Sequence, residues 1–136
     1  MRVLVDTSVW GDFFNGYSSR EAETLSRLIR EDADLLTCGL VVSEVLQGLR
    51  PGKSLSVIES HFREMEWLSP TEPETYIEAA NLFRRLRSRG ITIRSTIDCV
   101  IAKLASDHDS LLLSKDRDLA LIVESKLLNL RSMPVV

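Results

Sequence analysis

The chain has 136 residues, 44% of them hydrophobic and 27% charged, with a formal net charge of −3 at pH 7. A chain of this size and composition is expected to form one domain, residues 1–136, around a packed core, which excludes disordered and collagen-like classes. The apolar runs, such as Val3-Leu4-Val5 and Leu111-Leu112-Leu113, are far shorter than the ~18–20 residues of a bilayer span, and no signal-peptide pattern opens the sequence; a cytoplasmic protein with no membrane partner is expected.

In chain order, the opening apolar run ends abruptly at Asp6-Thr7-Ser8, as a buried parallel strand does at its polar C-terminal tip. Trp10, Phe13 and Phe14 then mark a short first helix. Over residues 19–31, Ala22, Leu25, Leu28 and Ile29 recur at helical spacing with Arg20, Glu23, Arg27 and Arg30 between them, giving an amphipathic helix. Leu35-Leu36-Thr37-Cys38 reads as a second strand. Residues 39–49 form a helix that is apolar nearly all round and stops at Pro51-Gly52. Leu55, Ile58, Phe62 and Met65 line one face of the next helix, and Trp67-Leu68-Ser69-Pro70 reads as a short strand and turn. A long helix through Tyr76, Ala79, Ala80, Phe83 and Leu86 is capped by Gly90. Ser95 is an N-cap for the helix carrying Ile97, Val100, Ile101, Leu104 and Ala105, with Asp98 in its first turn. Leu111-Leu112-Leu113 is a strand, residues 114–118 are its polar exit, and the apolar stretch over residues 127–130 reads as the last strand. This alternation predicts an α/β fold, a three-layer α/β/α sandwich with a central, mainly parallel sheet.

Ligand crevices of such sheets lie outside the carboxyl ends of the strands, where Asp6 and Asp116 fall and towards which Asp98 can point. Glu44 is the only charge in a helix otherwise built of Leu40, Val41, Val42, Val45, Leu46 and Leu49, and a buried carboxylate needs a partner or a metal. If these four acids converge, their mutual repulsion raises their pKa values unless a hard cation neutralises them. A set of oxygen ligands without His or Cys favours Mg²⁺ or Mn²⁺, whose chemistry is phosphoryl chemistry. Each acid also has an ordinary reading: a strand-end cap for Asp6, a solvent-reaching charge for Glu44, a capping partner of Ser95 for Asp98, turn residues for Asp116 and Asp118. Their joint occurrence favours a site. Cys38 and Cys99 show neither CxxC spacing nor a His partner and read as reduced, buried residues, while His61 and His108 read as core or boundary histidines.

The chain resembles the PIN-domain ribonucleases, and within them the short VapC-type toxins of type II toxin-antitoxin pairs. The matching pieces are Val3-Leu4-Val5-Asp6-Thr7-Ser8-Val9, Ser43-Glu44-Val45, Asp98-Cys99-Val100-Ile101-Ala102 and Leu112-Leu113-Ser114-Lys115-Asp116-Arg117-Asp118-Leu119, in family order over nearly the whole chain. The resemblance implies an endoribonuclease in which Asp6, Glu44, Asp98 and Asp116 are catalytic and, with Asp118, hold Mg²⁺ or Mn²⁺. A metal-activated water would cut RNA to leave a 5′-phosphate and a 3′-hydroxyl. It also implies a homodimer and a small cognate antitoxin, and gives Thr7 or Ser8, and Ser114, the task of orienting carboxylates or water. Two residues depart from the family pattern: Leu119, where an aromatic is common, and Lys103, where a small residue is usual.

The negative net charge runs against RNA binding, but setting the four acids aside leaves the rest at +1, and Arg84, Arg85, Arg87, Arg89 and Arg94 form a run uninterrupted by acids. That run reads either as a hold on RNA near the metal or as a solvated helix face whose arginines can pair with Asp or Glu elsewhere. A phosphorelay receiver needs an Asp at the end of the third strand, and Trp67-Leu68-Ser69-Pro70 supplies none. A PIN-fold RNA-binding or antitoxin-docking module without catalysis is the remaining alternative.

Overall fold

In the computed structural model, which describes residues 1–135, eleven elements follow one another. They are β1 (Arg2–Val5), α1 (Thr7–Asn15), α2 (Arg20–Arg30), β2 (Asp34–Thr37), α3 (Gly39–Gln47), α4 (Leu55–Arg63), β3 (Glu66–Trp67), α5 (Glu74–Ser88), α6 (Thr96–Asp107), β4 (Leu111–Leu113) and α7 (Arg117–Ser125). The four strands pair in the order β3-β2-β1-β4, every pair parallel. Parallel neighbours require crossovers, which the helices supply while covering the sheet, so the fold is a three-layer α/β/α sandwich.

The central strand is the most apolar. Val3 pairs with Leu35 on one side and Leu111 on the other, and Val3, Leu4 and Val5 are fully buried. Because β1 and β4 run parallel and end together, Asp6 N–H donates to Leu113 O at 2.9 Å and brings Asp6 beside the exit of β4. Trp10 stacks on Phe14 and meets Phe13, His61 and Phe62 edge-on, an aromatic block joining α1 to α4. His61 therefore belongs to the packing, and the His108 ring Nδ1 meets Leu104 O at 2.9 Å. No helix among the described residues is long and apolar enough to cross a membrane.

Three stretches differ from the sequence reading. The third strand is Glu66–Trp67, ahead of the expected Trp67-Leu68-Ser69-Pro70; the ladder gains one more bond, Leu68 N–H to Thr37 O at 2.8 Å. The polar exit of β4 becomes helix α7, because the Asp116 side chain caps Leu119 N–H and Leu119 and Ile122 supply a buried face at helical spacing. The apolar residues 127–130 form no strand. α7 ends in a left-handed Lys126, and the sheet is met instead by a single bridge between Leu112 and Ser132.

Gly90, at φ +79°, follows the end of α5 in the left-handed region, with open space where a Cβ would stand; Gly39, at the start of α3, has open space without a positive φ. Gly90→Ala is expected to lower stability by about 1–2 kcal/mol through backbone strain alone. Gly39→Ala is expected to be neutral or to stabilise by up to about 1 kcal/mol. Urea midpoints of the two variants check this; equal losses would contradict it.

Candidate active site

The site lies at the carboxyl edge of the sheet, where β1 and β4 end and three helices begin. Asp6 is the N-cap of α1 and only 4% exposed. Its Oδ2 accepts from Ser8 N–H (3.3 Å), Ser8 Oγ (2.9 Å) and Ser114 Oγ (3.0 Å). Both hydroxyls accept in turn, Ser8 Oγ from Lys115 N–H at 3.0 Å and Ser114 Oγ from Asp116 N–H at 2.9 Å. Two serines 106 positions apart thus lock the tip of β1 to the loop after β4. Lys115 Nζ fastens the same loop to Asp12 Oδ2 at 2.7 Å. Burial pushes the Asp6 carboxyl up, against the opposing pull of its serine hydrogen bonds.

Glu44, half-buried on α3, meets a specific partner: Thr7 Oγ1 donates to its Oε1 at 2.9 Å. Thr7 and Ser8, adjacent in sequence, therefore hold different carboxylates. Asp98 sits in the first turn of α6. Ser95 Oγ accepts from Ile97 N–H at 3.1 Å, and among the described residues Asp98 makes no return hydrogen bond to Ser95, so Asp98 is left to face the other acids. Burial first, then the charges of Asp116, Asp6, Asp118 and Glu44, push Asp98 up to about 7.

One carboxylate oxygen from each of Asp98, Asp116 and Asp118 lies within 4.8 Å of the other two. Asp6 and Glu44 lie outside this tight group, although their charges bear on Asp98. Asp116 uses Oδ2 to cap α7 through Leu119 N–H (3.0 Å) and takes Arg94 Nη2 on Oδ1 (3.1 Å). The Asp118 side chain is 3% exposed, and its Oδ2 accepts both Arg94 N–H (2.9 Å) and Arg94 Nε (3.0 Å). Those bonds hold its carboxyl below the ordinary range.

Arg94 follows the second of the two readings of its run: grouped in the sequence with the arginines of residues 84–89, it serves as counter-ion to Asp116 and Asp118. No spacing signal links an arginine in a loop to acids more than twenty residues away. Both cysteines are free and buried, burial raises both thiols, and Cys99 reaches about 11 beside Asp98. Lys103, unusual at its position, joins α6 to α5 by binding Glu78 Oε2 (2.8 Å) as well as Asp107 Oδ1 (3.0 Å).

The pKa of Asp98 gives a signed expectation. Raised from 3.8 to about 7, it favours the folded state below about pH 4, and that contribution is lost as the pH rises through 7. Asp118, held low, works oppositely and loses its contribution only as the pH falls through its own range. Without divalent cations, Asp98→Asn is therefore expected to melt above wild type at pH 8 by roughly 3–6 °C, the shift that about 1 kcal/mol produces in a domain of this size, and to match it near pH 4.5. The same difference at both pH values would contradict the crowded-carboxylate picture. Arg94→Ala is expected to lower the metal-free melting temperature by leaving Asp118 buried and unpaired, with Arg94→Lys recovering only part of it. An unchanged melting temperature in Arg94→Ala would show the pair to be dispensable.

Comparison with known proteins matches residues 3–124 to the PIN domain family. Ribonuclease VapC11 of Mycobacterium tuberculosis is 30% identical over 121 residues, covering 88% of this chain and 90% of that protein. Among solved structures, VapBC-1 from nontypeable Haemophilus influenzae superposes with a TM-score of 0.68 at 18% identity, covering 97% of this chain and 98% of its own. VapBC2 from Rickettsia felis, bound to a DNA fragment from their promoter, gives 0.65 at 17%, with the same coverage of both chains. With its acidic residues gathered at one edge of a parallel sheet and its sequence matched almost end to end, this chain belongs to the PIN domain family, among the VapC-type ribonucleases.

Proposed function

We propose that this chain is a single-domain, Mg²⁺- or Mn²⁺-dependent endoribonuclease that cuts RNA phosphodiester bonds as the toxin of a cytoplasmic toxin-antitoxin pair. The observation that carries the reading is the grouping of Asp98, Asp116 and Asp118 within 4.8 Å, with Asp6 and Glu44 close enough to act on Asp98. A donor set made only of oxygens, with one member pushed up to about 7, fits a hard divalent cation. Asp6, Glu44, Asp98 and Asp116 would hold it, and Asp118 would complete the set from its position against Arg94. When bound, such an ion polarises a phosphate oxygen and acidifies a water for in-line attack.

The protein's own groups divide the remaining work. Ser8 and Ser114 fix the orientation of Asp6, and Thr7 fixes that of Glu44. Asp116 is the freer of the two α7 acids, since it has a single contact with Arg94 where Asp118 has two, one of them from the main chain. Arg94, 76% exposed, stands where it can exchange its carboxylate contacts for an RNA phosphate as the cation takes up the negative charge. The VapBC neighbours support a small cognate antitoxin as partner. A homodimer is part of the same reading, from family resemblance.

Purified protein freed of any partner, incubated with tRNA, rRNA and mRNA, is expected to yield discrete fragments bearing 5′-phosphates in Mg²⁺ or Mn²⁺ and none in EDTA. Asp6→Asn and Asp98→Asn are each expected to reduce cleavage by at least ~100-fold while remaining folded. Wild-type cleavage by either variant, or equal cleavage in EDTA, would overturn the assignment. Folded wild type that binds RNA without cutting it would favour the non-catalytic module.

A further inference from the structure

The cations of this chain are unevenly neutralised. Arg2, Arg27, Arg63, Arg94, Lys103 and Lys115 each pair with a carboxylate. Among the described residues, Arg84, Arg85 and Arg87 form no ion pair, although all three are exposed on the last turns of α5. They line an open cavity of about 940 Å³ bounded by α5, Lys103 of α6 and the apolar residues Leu127 and Leu128. Asn81 and Ser88 add neutral hydrogen-bonding groups to its wall. Lys103 and Glu78 satisfy each other there, so the uncompensated charge of the groove is positive.

The groove is distinct from the carboxylate site: Leu127 and Leu128 follow the far end of α7, and Arg89, just past α5, donates from Nη1 to Ser125 O there. The Lys103–Glu78 pair sets the first half of α5 beside the second half of α6. Lys103 is turned about 140° round α6 from Asp98, so the groove opens on another flank. A few residues after the arginines the chain reaches Arg94, which binds Asp116 and Asp118.

We propose that this α5 groove binds the phosphate backbone of the RNA away from the bond that is cut, so that it governs affinity for long or folded RNA and not the chemistry. The proposal rests on RNA being the ligand of this chain but not on its being cleaved. Guanidinium forks suit phosphate oxygens, and unpaired arginines can exchange solvent and counter-ions for phosphates without first breaking ion pairs. Charge complementarity calls for a polyanion in this groove, and RNA is the polyanion that the proposed function already supplies.

The test measures binding in an Asp98→Asn background, with fluorescently labelled mixed tRNA as the probe and anisotropy followed across a salt series. Replacing Arg84, Arg85 and Arg87 together by Gln is expected to weaken Kd at least ~10-fold and to reduce the slope of log K against log salt by about 2. A charge-matched control, Arg30→Gln with Lys53→Gln and Arg63→Gln, is expected to change Kd by less than about twofold, and all proteins are checked by thermal melting. Unchanged tRNA binding, or an equal loss in the control, would overturn the proposal. So would tRNA binding kept while binding of a labelled polyglutamate peptide is lost, which would make the groove a protein-docking surface. Arginine-dependent tRNA binding in a protein that cleaves no RNA would remove the nuclease reading and leave this one standing.

Discussion

Like charges held at one edge of a sheet repel, and the architecture around them is built to hold them there. Two unit charges about 5 Å apart at an effective dielectric near 20 repel by roughly 3 kcal/mol, a large fraction of the stability of a small domain. Helix termini oppose this. Asp6 and Asp116 are N-caps of α1 and α7, and Asp98 and Asp118 lie in the first turns of α6 and α7. Each carboxylate therefore faces the positive end of a helix dipole, an attraction of about 0.3–1 kcal/mol apiece. Glu44, mid-helix on α3, lacks that help and has the Thr7 hydroxyl instead.

The remaining repulsion is shared unequally. Asp118, the most buried of the α7 acids, takes two bonds from Arg94 and stays charged, whereas Asp98 forms no ion pair among the described residues and bears the combined field of the other acids. The metal-free protein thus has a built-in cation on one side of the cluster and a proton-binding carboxylate on the other. On the proposed reading, a divalent ion held at this edge would displace the proton of Asp98 at moderately acid pH and share Asp116 with Arg94. On that reading function and stability would be coupled at this point, because the carboxylates proposed to hold the cation are those that repel one another in the unliganded fold.

Much of this was legible in the sequence because its signals are local. A strand that stops at an acid, an N-cap followed by an acid and a single charge in an apolar helix are short patterns, and they single out Asp6, Asp98 and Glu44, whose charges bear on one another in the fold. Long-range pairings left no such trace. The locking of Ser114 onto Asp6 spans the length of the chain, and the Arg94–Asp118 pair joins a loop to a helix start, so neither follows from periodicity. α7 was missed because its first turn is polar and reads as a loop until Asp116 is recognised as its cap. The supposed last strand failed for a related reason: residues 127–130 are apolar because Leu130 and its neighbours pack on the core, which fixes burial but not conformation.

The central claim is that the carboxylates form one cation site whose charge is partly stored as a proton on Asp98. The most direct measurement is calorimetric titration of Mn²⁺ into the metal-free protein, repeated in buffers of different ionisation enthalpy at pH 6 and pH 8.5. Binding at both pH values, with close to one proton released at pH 6 and almost none at pH 8.5, is the predicted result. Absence of saturable Mn²⁺ binding, or proton release independent of pH, would contradict the account.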